Sequence, residues 1–455
     1  MIEIARNKPI KTALLRQAVE NMNIVDIGEA FEDLNREQCI QVFRLLPKGV
    51  AANVFAYIEP DKQQILVEGL TDNEIGGIME GLFSDDAADF IEEMPANVVN
   101  RVLKNTPEEK RDIINQLLQY PDDSVGSIMT TEYLALWEDH NVMEALETIR
   151  RERRKVLHTC YIVRRDKLLV GSVPLKRLLL AKEHERLGDL ASKPAISAKT
   201  LDDQEDAAKL FMKYGLLSLP VTDKEGRLVG IITVDDAVEI VEEEATEDFE
   251  KMAAMLPSED PYLKTGVLTH AYRRVGWLLA LMFFAIFTEM IVESVEDLLH
   301  ALPALAAFIP MLMDMGGNVG AQTSTLVIRG MALDEVKFGD FFAVWWKEIR
   351  VALLCSAVLS AINAARVLLF NPDQLALTLT VSLTLVAVIA LSKSLGCLLP
   401  MGAKRLNLDP AVLATPIIKT VADMVALLLY FAIASVLIPE LAQIGAEHVG
   451  DVYGQ

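Results

Sequence analysis

Pro310-Met311-Leu312-Met313-Asp314-Met315-Gly316-Gly317-Asn318-Val319-Gly320-Ala321-Gln322 puts an acid and three glycines inside a long apolar stretch. A charge in hydrocarbon costs a few kcal/mol or more, so Asp314 marks either a pathway or a paired structural site. The glycines have two readings. Paired glycines loosen a helix and let backbone or ligand approach, with the freed carbonyls facing protein or water. Alternatively, small residues let two helices pack closely. If the helix continues, Asp314 and Asn318, four residues apart, share a face.

Four more apolar stretches flank this one, one before it and three after. The spans fall near 275–293, 303–328, 348–370, 375–400 and 412–438, each with roughly the 20 residues needed to cross a bilayer. Asp314, Lys393, Lys419 and Asp423 are the deepest charges, with Glu289 and Arg366 nearer the ends. Lys419 and Asp423 are four apart on one helix and can neutralise each other. In the other reading, Asp423 faces a water-filled path and meets a cation. A lone carboxylate suits Mg2+, which sheds water reluctantly and is often held through its waters.

Orientation follows from the loops. Arg273, Arg274, Arg329, Lys337, Lys347, Arg350, Lys404 and Arg405 fall on one side, and the loops 294–302 and 371–374 and the tail carry no Lys or Arg. Basic loops stay in the cytoplasm, so the N-terminal half is cytoplasmic and the C-terminus is outside. Arg366 is the exception, placed to snorkel outwards. An odd number of spans argues against simple internal duplication.

Everything before Arg273 is polar and acidic. The net charge is -22, and 50 of the 65 Asp and Glu residues precede Arg273. That balance argues against nucleic acid as a partner, which wants Lys and Arg; it leans towards cations or serves plain solubility. Cys39, Cys160, Cys355 and Cys397 are scattered, without a CxxC pair, so no disulfide framework or thiolate metal site is expected. The first residues, MIEIARNKPIKTALL, hold no apolar core of secretory-signal length, so the spans themselves direct the chain to the membrane. No P-loop, nucleophile elbow or HExxH points to an enzyme.

Residues 1–129 read as helices only. Phe31, Leu34, Cys39, Val42, Phe43 and Leu46 recur at helical spacing, and Pro47, Pro60, Pro95, Pro107 and Pro121 punctuate the segment. Leu46-Pro47, Leu82-Phe83 and Leu117-Leu118 each precede a similar run, a period of about 36 residues that suits a two-helix superhelical repeat. Residues 130–249 alternate short strands with helices, and 161–175 shares its outline with 219–234, so the region reads as a tandem α/β duplication. Residues 250–273 continue a connecting helix and linker, interrupted at Pro257 and Pro261, and 274–455 form the membrane domain. The expected fold is therefore multidomain: an α-helical repeat domain, an α/β tandem and an α-helical five-span transmembrane domain.

Four carboxylate clusters stand out: Asp85, Asp86, Asp89; Asp202, Asp203, Glu205, Asp206; Asp235, Asp236, Glu239; and Glu243, Glu244, Glu247, Asp248. Each reads alone as a solvated face, and the second also opens a helix, where acids suit the dipole. Gly230-x-x-Thr233-x-x-Asp236 offers a hydroxyl for phosphate and a carboxylate for ribose hydroxyls, or forms a strand–helix turn without a ligand. The first α/β copy has Gly171-x-x-Pro174-x-x-Arg177, which lacks both groups.

In this order, the parts resemble the MgtE family of magnesium channels and transporters. The resemblance rests on the GGNxGxQ core within Pro310–Gln322, on Asp409-Pro410-Ala411 before the last span, on Asp423 within it, and on Thr233–Asp248. It covers nearly the whole chain. It implies that 130–249 are paired cystathionine-β-synthase (CBS) domains and that the protein is a homodimer in the lipid of the cell (inner) membrane. The pore would lie on the two-fold axis, with Asp423 as the ion site and Asp314 and Asn318 beside it. Cytosolic Mg2+ would close the gate by binding Asp85, Asp89, Asp203, Glu205, Asp236, Glu239, Glu244, Glu247 and Asp248. The CBS pattern at Gly230, Thr233 and Asp236 implies one site for ATP in each chain. Lys419 is a departure, since a basic residue one turn from Asp423 repels a cation. Rival readings are a transporter of another divalent ion or an ion-coupled carrier on the same scaffold. A membrane-anchored nucleotide sensor is less consistent with Asp314 and Asp423, since an anchor needs no acids in its spans.

Overall fold

The computed structural model describes residue 19 and residues 21–152, 158–258, 262–370, 372–412 and 415–438. The N-terminal stretch, Pro261 and the tail beyond 438 lie outside them. The chain forms two compact units, 1–242 and 243–455.

Among the described residues the first unit begins with eight short helices: Ile24–Glu29, Arg36–Phe43, Lys48–Ala56, Pro60–Gly69, Asp72–Gly81, Ser84–Glu92, Ala96–Asn105 and Glu108–Leu117. Local chemistry sets their ends. Asn35 with Gln38, and Thr71 with Glu74, form capping boxes in which side chain and backbone satisfy each other reciprocally. Most helices pack on the helix two positions further along, the pattern of a superhelical repeat. Phe31, Phe43, Phe55 and Phe90 run through the core edge-to-face, with centroids 6.3, 6.1 and 5.1 Å apart. The 36-residue period holds for the helices beginning at Lys48 and Ser84. The third copy is not a helix. Ser124 and Val125 turn away after Leu117–Tyr120, and the Val125 amide bonds the carbonyl of Asp202 instead.

The duplication continues in two three-stranded sheets. The first has β1 (Ala135–Trp137), β2 (Thr159–Val163) and β3 (Leu169–Pro174), and the second has β4 (Ala198–Lys199), β5 (Ser218–Thr222) and β6 (Leu228–Thr233). Each has a parallel pair followed by an antiparallel pair, with a register shift at Ile162/Val163 and again at Val221/Thr222. The Tyr161 hydroxyl joins Ser218 Oγ of the other sheet at 2.6 Å. One hydrophobic core runs from Phe31 through Phe90 to Val221 and Ile232, so the helical repeat and the second α/β copy are continuous.

Among the described residues of the second unit, five helices are long and apolar enough to cross a membrane: Val267–Glu293, Pro303–Ala332, Phe338–Phe370, Leu375–Arg405 and Pro416–Leu437. We call them spans 1 to 5. Several run further than hydropathy marks, because Arg273, Arg274, Lys347 and Arg350 extend a helix without being apolar. Spans 2, 4 and 5 pack on one another, span 3 packs on span 4, and span 1 packs on span 5. Span 1 has no buried residue.

The glycines of span 2 lie within regular helix. Helix Ile309–Ala332 runs unbroken through Gly316, Gly317 and Gly320, and all three are buried. A Cβ on Gly316 would meet Val388 Cγ1 at 3.0 Å, and one on Gly320 would meet Ile418 Cγ2 at 2.8 Å. Facing them, a Cβ on Gly396 of span 4 would lie 2.6 Å from the Gly320 carbonyl oxygen. Close packing of spans 2, 4 and 5 is what the glycines provide, not a loosened helix.

Candidate functional site

Unbroken helix fixes the faces. Asp314, Asn318 and Gln322, four residues apart, form an exposed polar stripe along span 2. Across from it, Asp423 is half-buried on span 5, and its Oδ1 has no hydrogen-bond partner. Lys419 and Asp314 are the two charges that act on Asp423. The Lys419 stem crosses span 2 at Gly317, with Cγ 2.6 Å and Cδ and Cε 3.3 Å from where a Cβ would stand. Among the described residues no ion pair joins Lys419 to Asp423 or Asp314. The pairing of Lys419 with Asp423 offered by their spacing does not form. A polar stripe and an orphaned carboxylate oxygen are costly against lipid, so this face requires water or protein.

Lys393, by contrast, is a structural charge. Its Nζ donates to Glu348 Oε2 at 2.6 Å and to Thr323 Oγ1 at 3.1 Å, tying spans 2, 3 and 4. Sequence reasoning missed Glu348, which sits before the uninterrupted apolar run of span 3. Arg366 bonds Asn363 Oδ1 at 3.0 Å and stands 5.8 Å above the Phe308 ring.

At the other end of span 5, Asp409 accepts from the Ala411 amide at 2.8 Å. Its second oxygen meets Lys251 Nζ at 2.7 Å, and the same ammonium holds Glu247 Oε1 at 2.7 Å. Lys251, also missed in the sequence, thus ties the end of the connecting helix (Val234–Met252) to the segment that leads into span 5.

In the first unit, two clusters 150 residues apart in sequence act on each other. Asp85, Asp86 and Asp89 on Ser84–Glu92 lie beside Asp235, Asp236 and Glu239. Asp85 is 7% exposed, and its Oδ1 has no partner. Burial raises its carboxyl well above the usual range, and Asp86, Asp236, Glu132 and Asp89 add repulsion. Asp89 keeps an exposed edge, yet enclosure in the recess and its acidic neighbours push it up to about 7. Desolvation raises Glu239, with Asp236 adding to it.

A bracket beside the cluster holds Ser84. Glu132 accepts from Ser84 Oγ at 2.5 Å, Thr130 Oγ1 at 2.6 Å and Lys110 Nζ at 2.7 Å. Burial opposes its ionisation, but these bonds hold the carboxyl below its usual range. Nothing in the sequence around Glu132 signals this role, because Ser84 and Lys110 lie 48 and 22 residues away.

The remaining candidates have local partners. Asp203 caps the helix Gln204–Tyr214 through the Glu205 amide at 2.8 Å, and Glu205 pairs with Lys209 at 2.8 Å. Glu244 and Asp248 lie on the connecting helix with Glu247. Thr233 donates to Asp236 Oδ2 through its amide at 2.9 Å and its hydroxyl at 2.7 Å, so the two close a helix-capping turn. Gly230 is required by packing, since a Cβ there would lie 2.6 Å from Met129 Sδ. Among the described residues no three His, Cys, Asp or Glu side chains are grouped closely enough to hold a metal ion directly.

Five apolar spans carrying a polar stripe, preceded in the chain by a helical repeat and a paired α/β domain, define a multi-pass membrane protein with a large N-terminal part outside the spans. The profile of a family described as a divalent cation transporter matches residues 309–433, that of the MgtE intracellular N domain matches 22–123, and CBS domains match 125–184 and 187–243. The magnesium transporter MgtE of Thermus thermophilus is 33% identical over 433 residues, covering 94% of this chain and 96% of that protein. That of Bacillus subtilis is 29% identical and covers 94% of each. The cytosolic domain of the Mg2+ channel MgtE, solved in complex with ATP, aligns with 53% of this chain and all of its own length, at 30% identity and a TM-score of 0.50. The chain belongs to the MgtE family, whose members are transporters and not enzymes.

Proposed function

We propose that this chain carries Mg2+ across the cell's inner membrane as a homodimer, with the ion path formed where spans 2 and 5 expose Asp314, Asn318 and Asp423. The observation that carries the reading is the unpartnered Asp423 oxygen beside an exposed polar stripe within the spans. A second copy placed against that face removes it from lipid and brings two Asp423 carboxylates together. Mg2+ keeps several waters, and a carboxylate pair that bonds those waters holds the ion without fully dehydrating it. Relatives named magnesium transporters support the choice of ion.

Cytosolic Mg2+ regulates the path through the acidic recess. The orphaned Asp85 oxygen and the crowded charges of Asp89, Asp236 and Glu239 make the closed recess costly when the acids ionise. A divalent ion offsets that repulsion, and it shifts the equilibrium only by its greater affinity for the closed state. Asp203, Glu205, Glu244, Glu247 and Asp248 complete the proposed set. With the first two already engaged in a cap and an ion pair, Asp85, Asp89, Asp236 and Glu239 carry most of the response. ATP is the second proposed ligand, at Gly230, Thr233 and Asp236, supported by the relative solved with that nucleotide. Binding there requires Thr233 and Asp236 to release each other.

The test is Mg2+ uptake into proteoliposomes followed with an enclosed indicator, with other divalent ions and with or without proton or sodium gradients. Uptake of Mg2+ without a gradient, falling as Mg2+ on the cytosolic side rises, is expected. Dependence on a coupled ion, or preference for another metal, would favour the rival carriers.

A further inference from the structure

Lys419 has no role in the function proposed above, yet it occupies the centre of the polar face. Its stem is pressed across Gly317, one residue from Asn318, and a Cβ at Gly317 would fall 2.6 Å from Lys419 Cγ. Gly317 therefore makes room for the lysine. Its ammonium is a full positive charge acting on Asp423, as Asp314 is a negative one, and it forms no ion pair with either. The lysine is also exposed, as are Asp314 and Asn318. The arrangement is a cation on a short, flexible tether beside two carboxylates, with neither carboxylate neutralised in a fixed pair.

We propose that Lys419 is a specificity-determining residue: a tethered cation that offsets the Asp314 and Asp423 charges and that a permeating ion must displace. The inference rests on the reading of Asp423 as the ion site. A carboxylate pair without the lysine attracts any cation, and in each chain the ammonium cuts the net charge of the group from two negative to one. Monovalent ions then gain little by replacing a charge equal to their own. A divalent ion attracts the carboxylates twice as strongly and still wins, though with lower affinity than it would have without the lysine. Lys419 thus trades affinity for discrimination, by adding repulsion against the wrong ion.

The experiment uses the full chain in proteoliposomes, with Mg2+, Na+ and K+ as probes. Lys419→Met keeps the stem over Gly317 and removes the charge, and Lys419→Arg keeps the charge. Lys419→Met is expected to lower the half-saturating Mg2+ concentration on the order of tenfold, equivalent to about 1.4 kcal/mol, and to admit Na+ and K+ flux that the intact chain excludes. Lys419→Arg is expected to behave like the intact chain. Unchanged affinity and ion preference in Lys419→Met would overturn the proposal, as would equal changes in both variants, which would assign the effect to shape. Should Lys419→Met fail to purify as a monodisperse protein, Lys419→Gln provides the same charge loss. Asp423→Asn separates the two levels of inference: if it conducts Mg2+ like the intact chain, the ion-site reading fails, whereas if it is silent and Lys419→Met is unaltered, only the role of Lys419 fails.

Discussion

Removing Lys393 leaves Glu348 largely buried, with the Thr323 hydroxyl beside it. The pair is 2.6 Å long, with side chains 8% and 15% exposed, and Thr323 Oγ1 is its only other close polar contact among the described residues. Breaking a buried ion pair from one side costs about 3–5 kcal/mol, because the remaining charge keeps its desolvation penalty without its partner. Removing both charges together is close to neutral, since penalty and attraction disappear together. Lys393→Met should therefore lower the stability of the membrane unit by about 3–5 kcal/mol, which at about 2–4 °C per kcal/mol is a fall on the order of 10 °C in Tm. Lys393→Met combined with Glu348→Gln should recover most of it. Thermal unfolding of the full chain in detergent, followed by loss of the monodisperse species, reads both variants against the intact chain. If the double variant is as unstable as the single, or the single is unaltered, the pair is not the tie between spans 2, 3 and 4 that the geometry describes.

Three further outcomes follow from the packing and charges. Gly396→Ala should destabilise the membrane unit by about 1–3 kcal/mol, because its Cβ meets a backbone oxygen that cannot move aside, and Gly317→Ala should cost less, because it meets a flexible lysine stem; thermal unfolding compares them. The acidic recess should loosen with rising pH in the absence of Mg2+. Asp89 is raised from 3.8 to about 7 in the folded chain, so its contribution to the closed form is complete below about pH 4 and is lost as pH rises through about 7, and Asp85, raised as well, acts in the same direction; the protection of Ser84–Glu92 amides from hydrogen exchange, corrected for the intrinsic rise of exchange with pH, should fall between pH 6 and 8 and recover when Mg2+ is added. Lys251→Met should release the end of the connecting helix from Asp409, costing about 1 kcal/mol for two partly exposed pairs and raising hydrogen exchange of residues 243–252 about fivefold.

The order of parts was legible because each part has its own period. Helical spacing gave Phe31, Val42 and Phe43, all buried as expected, and the matched strand–turn–strand runs gave two sheets of one topology. Strands β1 and β4 escaped notice because three and two residues are too few for alternation to register. The helices run past the expected spans where charged residues continue a helix that hydropathy stops counting. The site was half legible. Which residues bear charge within the spans is written in the sequence, but which charges meet is not. Lys393 looked like Lys419 until Glu348 and Thr323, 45 and 70 residues away, were seen to pair with the first and with no other charge. The Thr233–Asp236 pattern likewise fits a ligand and a cap equally well until the 2.7 Å bond shows the two bound to each other.

Mg2+ flux into proteoliposomes by the intact chain beside Asp423→Asn decides whether the ion crosses along the face of spans 2 and 5. The substitution keeps the size of the side chain and removes the charge. Mg2+ passage by the intact chain and its loss in the variant, with both proteins equally folded, is the predicted result. Equal flux through both would contradict the assignment of the ion path to the face shared by spans 2 and 5.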